Sequence, residues 1–163
     1  MESRAKLLGH PIHPMLIVLP LGLFIMAVVF DALYLWRGSP ILPTLAYWNI
    51  GAGVVGGLLA AVFGVIDWLA IPSGTRAKRI GLLHGAINVV VVATFAIVWL
   101  MRNGSPETAP GTGLFFLEVG ALVLGAVGGW LGGELVDRLG VGVHDGAHLD
   151  APSSLSGKPA RLR

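Results

Sequence analysis

The sequence predicts an all-α integral membrane protein: an up-down four-helix bundle with both termini in the cytoplasm. Three observations carry this expectation. Of 163 residues, 55% are hydrophobic and only 12% charged, with mean hydropathy +0.79, whereas a soluble domain carries about 25% charged residues. Four apolar windows, Pro14–Trp36, Leu45–Ala70, Ile80–Met101 and Leu114–Leu139, are each long enough to cross hydrocarbon about 30 Å thick. Finally, nine of the eleven Lys and Arg residues fall on one side of that topology (Arg4, Lys6, Arg76, Lys78, Arg79, Arg138, Lys158, Arg161, Arg163), and only Arg37 and Arg102 on the other. Loops rich in Lys and Arg stay in the cytoplasm, so both ends are expected inside.

Residues 1–13 form a lead-in that ends in Gly9-His10-Pro11-Ile12-His13-Pro14. The prolines push His10 and His13 away from the α region, and Pro14 falls in a first helical turn, where a missing N–H is tolerated. The first span exceeds a signal-peptide core and lacks a small-residue cleavage site, so it is expected to remain as a helix. Breaker-rich links follow: Arg37-Gly38-Ser39-Pro40, Pro72-Ser73-Gly74-Thr75 and Asn103-Gly104-Ser105-Pro106. Links this short join antiparallel neighbours within a 14–139 membrane domain. Trp36, Trp48 and Trp99 are expected at the outer interface, Trp68 and Trp130 nearer the inner one. Residues 140–163, rich in Gly, Pro and Ser, read as a flexible cytoplasmic tail.

Spans two and four carry glycine seams. Gly53, Gly57, Ala60, Gly64 and Asp67 recur at alternating four and three; Gly125, Gly128 and Gly132 form a second stripe, with Gly129, Gly133, Glu134 and Asp137 beside it. Small residues at this spacing let helices approach closely in lipid, within the chain or in a homo-oligomer. The alternative is that they leave room for a flat cofactor. Histidines near the starts of spans one and three, and acids near the exits of spans two and four, suggest a parallel internal repeat about an axis along the membrane normal.

The chain contains no cysteine, which excludes disulfides, thiolate-held iron–sulfur clusters, c-type haem and cysteine nucleophiles. Its pI of about 9.4 comes from loop and tail cations and reports topology and lipid contact, not nucleic-acid binding. No hydrolase triad, phosphate-cradling loop or His-Glu-x-x-His motif is present.

His84 lies about one turn inside the third span, with Gly81 and Asn88 on its face. An ionisable group at such a depth normally faces the bundle interior with a partner. Asp67 is expected at similar depth, either hydrogen-bonded to His84 as a helix staple or orienting it as a ligand. His10 and His13 either are interfacial rings or converge with His84 on a metal or haem iron, since neutral imidazole suits both. The candidate cofactor site is therefore His13 and His84 with His10, Asp67 and Asn88, for haem b or a transition metal; the metal version uses His10, His13 and His84. Asp31 and Glu118, towards the outer side, would cap, pair with Arg37 or Arg102, or mark a polar path. His144 and His148, with Asp145 and Asp150, would bind metal only nonspecifically.

The segment Gly9–Pro14 running into Leu19-Pro20-Leu21-Gly22 resembles the opening of the domain of unknown function 2231 family of bacterial membrane proteins. Asp67-Trp68, Pro72-Ser73-Gly74-Thr75, and His84 with Asn88 resemble its middle. Gly128-Gly129-Trp130-Leu131-Gly132-Gly133-Glu134-Leu135-Val136 and Gly140-Val141-Gly142-Val143 resemble its end. The resemblance covers residues 9–143 and implies a small four-helix inner-membrane protein with no established activity. Relatives are sometimes joined to Rieske or cytochrome modules, which points to electron transfer with a redox-partner protein; no such module is read within these residues. The functional expectation is a haem b or metal site serving electron transfer. The alternatives are a non-enzymatic assembly or packing subunit, and a proton or metal-ion conduit using Asp31, Asp67 and Glu118.

Overall fold

The computed structural model describes residues 1–102 and 104–160; Asn103 of the third link, and Arg161 and Arg163 of the charge count, lie outside the described residues. A two-residue hairpin opens the chain, β1 (Lys6–Leu7) pairing antiparallel with β2 (His10–Pro11). The first span is α1 (Ile12–Leu16) followed by α2 (Val18–Arg37). Pro20 explains the interruption, because it has no N–H to offer the Leu16 carbonyl. The axis nevertheless continues, with Ile17 N–H bonded to His13 O and Leu21 N–H to Ile17 O, both at 3.2 Å.

Three further spans follow: α3 (Ile41–Ala70), α4 (Arg76–Met101) and α5 (Thr112–Gly133), the last running into a π-helical turn, Glu134–Arg138. All four are long and apolar enough to cross a membrane. Helix starts come earlier than hydropathy alone suggests, because the first turns are polar or proline-bearing. Pro43 fits in the first turn of α3, where its N–H is not needed. Thr75 caps α4, accepting from Lys78 N at 3.1 Å while donating to Pro72 O at 2.8 Å. Gly38 ends α2 at φ +70°, its N–H bonded to Tyr34 O at 2.7 Å, a left-handed cap that favours glycine.

The helices alternate in direction, α2 lying chiefly on α3, α3 on α4 and α4 on α5. The first residue and the segment that follows the last helix meet at one end of the bundle: the Met1 ammonium donates to Gly140 O at 3.0 Å, and Gly142 N–H to Met1 O at 2.9 Å. Residues 140–160, read from sequence as a loose tail, fold back over the lead-in without regular structure, Ser154 Oγ reaching His10 Nε2 at 3.3 Å.

The core is thin and axial: Phe24, Ala27, Ile50, Val91, Phe95 and Val98 are buried, while many Leu, Val and Ile side chains are exposed on the bundle's outside, as lipid contact requires. Along the centre, three contacts join residues 71 positions apart. His13 meets His84, the Phe24 and Phe95 rings stack at 4.0 Å and 3°, and Asp31 pairs with Arg102. The staples described below add two matches 68 positions apart. Equivalent residues touching one another is what a two-fold axis between repeated halves produces, and these pairs supply that geometry for the repeat read weakly from the sequence.

Candidate functional site

The bundle end that carries Met1 and Gly140 holds the two imidazoles. Their centroids are 6.2 Å apart and their planes 86°. Each ring is held in the same way. His13 Nδ1 lies 2.8 Å from Ala60 O, and His84 Nδ1 lies 2.8 Å from Gly128 O. A carbonyl can only accept, so each Nδ1 donates to it, and in the neutral ring Nε2 is then the nitrogen that carries the lone pair. One turn beyond each acceptor is a glycine that makes room for the ring. A Cβ on Gly64 would sit 2.9 Å from His13 Cε1, and one on Gly132 would sit 3.1 Å from His84 Cε1.

Glycines of both seams, and Gly81 of α4, have a concrete use. They seat side chains: Phe24 on Gly53, Val92 on Gly57, His13 on Gly64, Trp68 on Gly81, His84 on Gly132. At these positions the room left by glycine is taken by side chains of the same chain. A Cβ on Gly129 or Gly133 would meet nothing within 4 Å, and both residues lie off this surface.

Of the expected site residues, His13 and His84 come together and Asn88 joins them. Asn88 Nδ2 bonds His84 O at 2.8 Å and sits 3.4 Å from both ring nitrogens of His84, against Gly128. His10 does not join; it lies on β2 beside the tail residue Ser154. Asp67 does not contact His84 either. Its carboxylate instead accepts from Ser3 Oγ at 2.7 and 2.8 Å, Arg4 N at 2.7 Å and Ala5 N at 3.3 Å, pinning the lead-in to α3. Three donors from adjacent residues outcompete a single imidazole one helix away, and the sequence offers no sign of them beyond a serine in a loop. Among the described residues no three His, Asp or Glu side chains gather as a metal cage. At the same end, Arg76 pairs with Glu134 at 2.7 Å, and the Lys78 ammonium lies over Trp68 while donating to Trp68 O at 2.7 Å.

The other end of the bundle holds a site the sequence only hinted at. Arg102, counted as a loop cation, is buried to 0% side-chain exposure along with Asp31 and Glu118. Its Nη2 donates to Asp31 Oδ2 and, at 3.0 Å, to Glu118 Oε1. The Phe24–Phe95 stack and the apolar core around it lie between Asp67 and the Asp31/Glu118 pair.

A paired-histidine site and a buried ionic cluster, at opposite ends of four membrane-spanning helices, define a small multi-pass membrane protein. A model of the family described as "Predicted membrane protein (DUF2231)" matches residues 9–145, and the chain belongs to that family. No curated protein and no solved structure matches it.

Proposed function

We propose that this membrane protein works through the His13–His84 pair, which holds one transition-metal ion between its two Nε2 atoms for electron transfer with a redox partner in the bacterial inner membrane. The observation that carries this reading is the shared hydrogen bonding of the rings, each Nδ1 committed to a helix carbonyl, which makes Nε2 the ligating nitrogen of each neutral ring. That arrangement fixes tautomer and ring direction before an ion arrives, as partners of metal-bound histidines do. Imidazole nitrogens suit copper, iron, zinc and nickel, and a redox role narrows these to copper or iron. Haem fits less well, because Gly64 and Gly132 already seat the imidazoles. With two protein ligands, water or a partner's group would complete the shell.

Metal analysis of protein purified after growth with ample copper or iron tests this. One ion per chain is expected in wild type and in His148→Ala, and none in His13→Ala or His84→Ala. Metal-free wild type would contradict it. A second reading is favoured by the same two bonds: His13 and His84 staple α1 to α3 and α4 to α5 without binding anything. Metal-free wild type, with both alanine variants less stable, would support that reading.

A further inference from the structure

At the end of the bundle away from the termini, Arg102 faces two acids. Asp31 comes from α2, Glu118 from α5 and Arg102 from the end of α4; α3 contributes only the Pro43 carbonyl, 3.5 Å from Arg102 Nη1. All three charged side chains have 0% exposure. Among the described residues three of their atoms have no hydrogen-bond partner: Asp31 Oδ1, Glu118 Oε2 and Arg102 Nε. Two carboxylates against one guanidinium leave an uncompensated negative charge out of reach of water, where an unpaired ion is held only at great cost.

We propose that this cluster is a one-proton binding site, in which Asp31 and Glu118 share a single proton at neutral pH. One oxygen of each acid accepts from the same guanidinium nitrogen, Arg102 Nη2, which sets the two carboxylates side by side. A proton on Glu118 turns one of its carboxylate oxygens from an acceptor into a donor. The cluster then becomes neutral, one carboxylate balancing one guanidinium. The internal repeat sharpens the point. Asp31 and Arg102 are equivalent positions and would form a balanced pair alone, whereas the position matching Glu118 in the first half, 68 residues earlier, is Ile50. Glu118 is thus an acid present in one half only, and it makes the site a proton carrier where a simple ion pair would suffice for packing. This inference is independent of the histidine site.

Infrared difference spectroscopy on the protein in lipid nanodiscs, in sodium-free buffer at neutral pH, reads the proton directly. A protonated-carboxyl band is expected in wild type, shifted by carbon-13 labelling of glutamate. It should be lost in Glu118→Gln, and lost also in Asp31→Asn, where Glu118 alone balances Arg102 and ionises. Both replacements are nearly isosteric, and the labelled wild-type spectrum stands whether or not they fold. No band in wild type, or a band surviving both replacements, would overturn the proposal. So would a band abolished by adding sodium, which would make the ligand a metal cation.

Discussion

Phe24 and Phe95 lie face to face at the middle of the bundle, 4.0 Å between centroids and 3° from parallel. They occupy equivalent positions of two repeated halves, and they separate the histidine pair from the ionic cluster. From His13 to Phe24 is eleven residues and from Phe24 to Asp31 seven, or about 16 and 10 Å at about 1.5 Å per residue. The two polar sites are therefore nearly a hydrocarbon thickness apart, with an apolar plug between them.

The stack should be measurable as a coupling. Phe24→Ala and Phe95→Ala should each destabilise the protein by about 3–5 kcal/mol. The double variant should lose less than their sum, with about 0.5–1.5 kcal/mol of interaction from the rings. Additive losses in reversible unfolding would mean that the rings do not act as a pair.

Glycine-to-alanine replacements should separate seats from open positions. Gly64→Ala and Gly132→Ala each force a methyl into an imidazole, and overpacking of this kind costs about 1–3 kcal/mol. Gly129→Ala, with open space around it, should be neutral or slightly stabilising. Equal thermal stability in all three would contradict the seating.

Asp67 should act on the lead-in and leave the histidines alone. Asp67→Asn weakens the hold on Ser3, Arg4 and Ala5, bonds to a charged acceptor being worth about 1.5–3 kcal/mol each. Amide exchange at Arg4 and Ala5 should accelerate, while metal content stays at the wild-type level. A fall in metal content would restore Asp67 to the site.

Which compartment receives the termini follows from charge alone. Reporter fusions at residue 160 and in the Pro72–Thr75 link should both report the cytoplasm. An active periplasmic reporter at either position would turn the molecule over and place the ionic cluster inside.

Much of this is legible in the residues. Hydropathy marks the spans because lipid imposes one constraint on every turn, and the shared depth of His13 and His84 follows from where their helices begin. Burial of Arg102 is not legible. A cation just past an apolar run looks the same in sequence whether it points to water or back to Asp31 and Glu118. The glycine seams announce small residues, but spacing says nothing of whether a backbone, a cofactor or an imidazole fills the space. Asp67 misleads for a related reason, since its donors are chiefly backbone N–H groups of a loop that hydropathy treats as featureless. Aligning the halves 71 positions apart, so that His13, Phe24 and Asp31 fall on His84, Phe95 and Arg102, is the signal in the sequence that marks the axial pairs.

The most direct test of the histidine site is X-ray absorption at the metal edge of the copper- or iron-loaded protein. Two imidazole nitrogens at about 2.0–2.1 Å from one ion are expected, with the histidine scattering lost in both His13→Ala and His84→Ala. An ion with no histidine in its shell, or a wild-type protein that takes up none, would contradict the account.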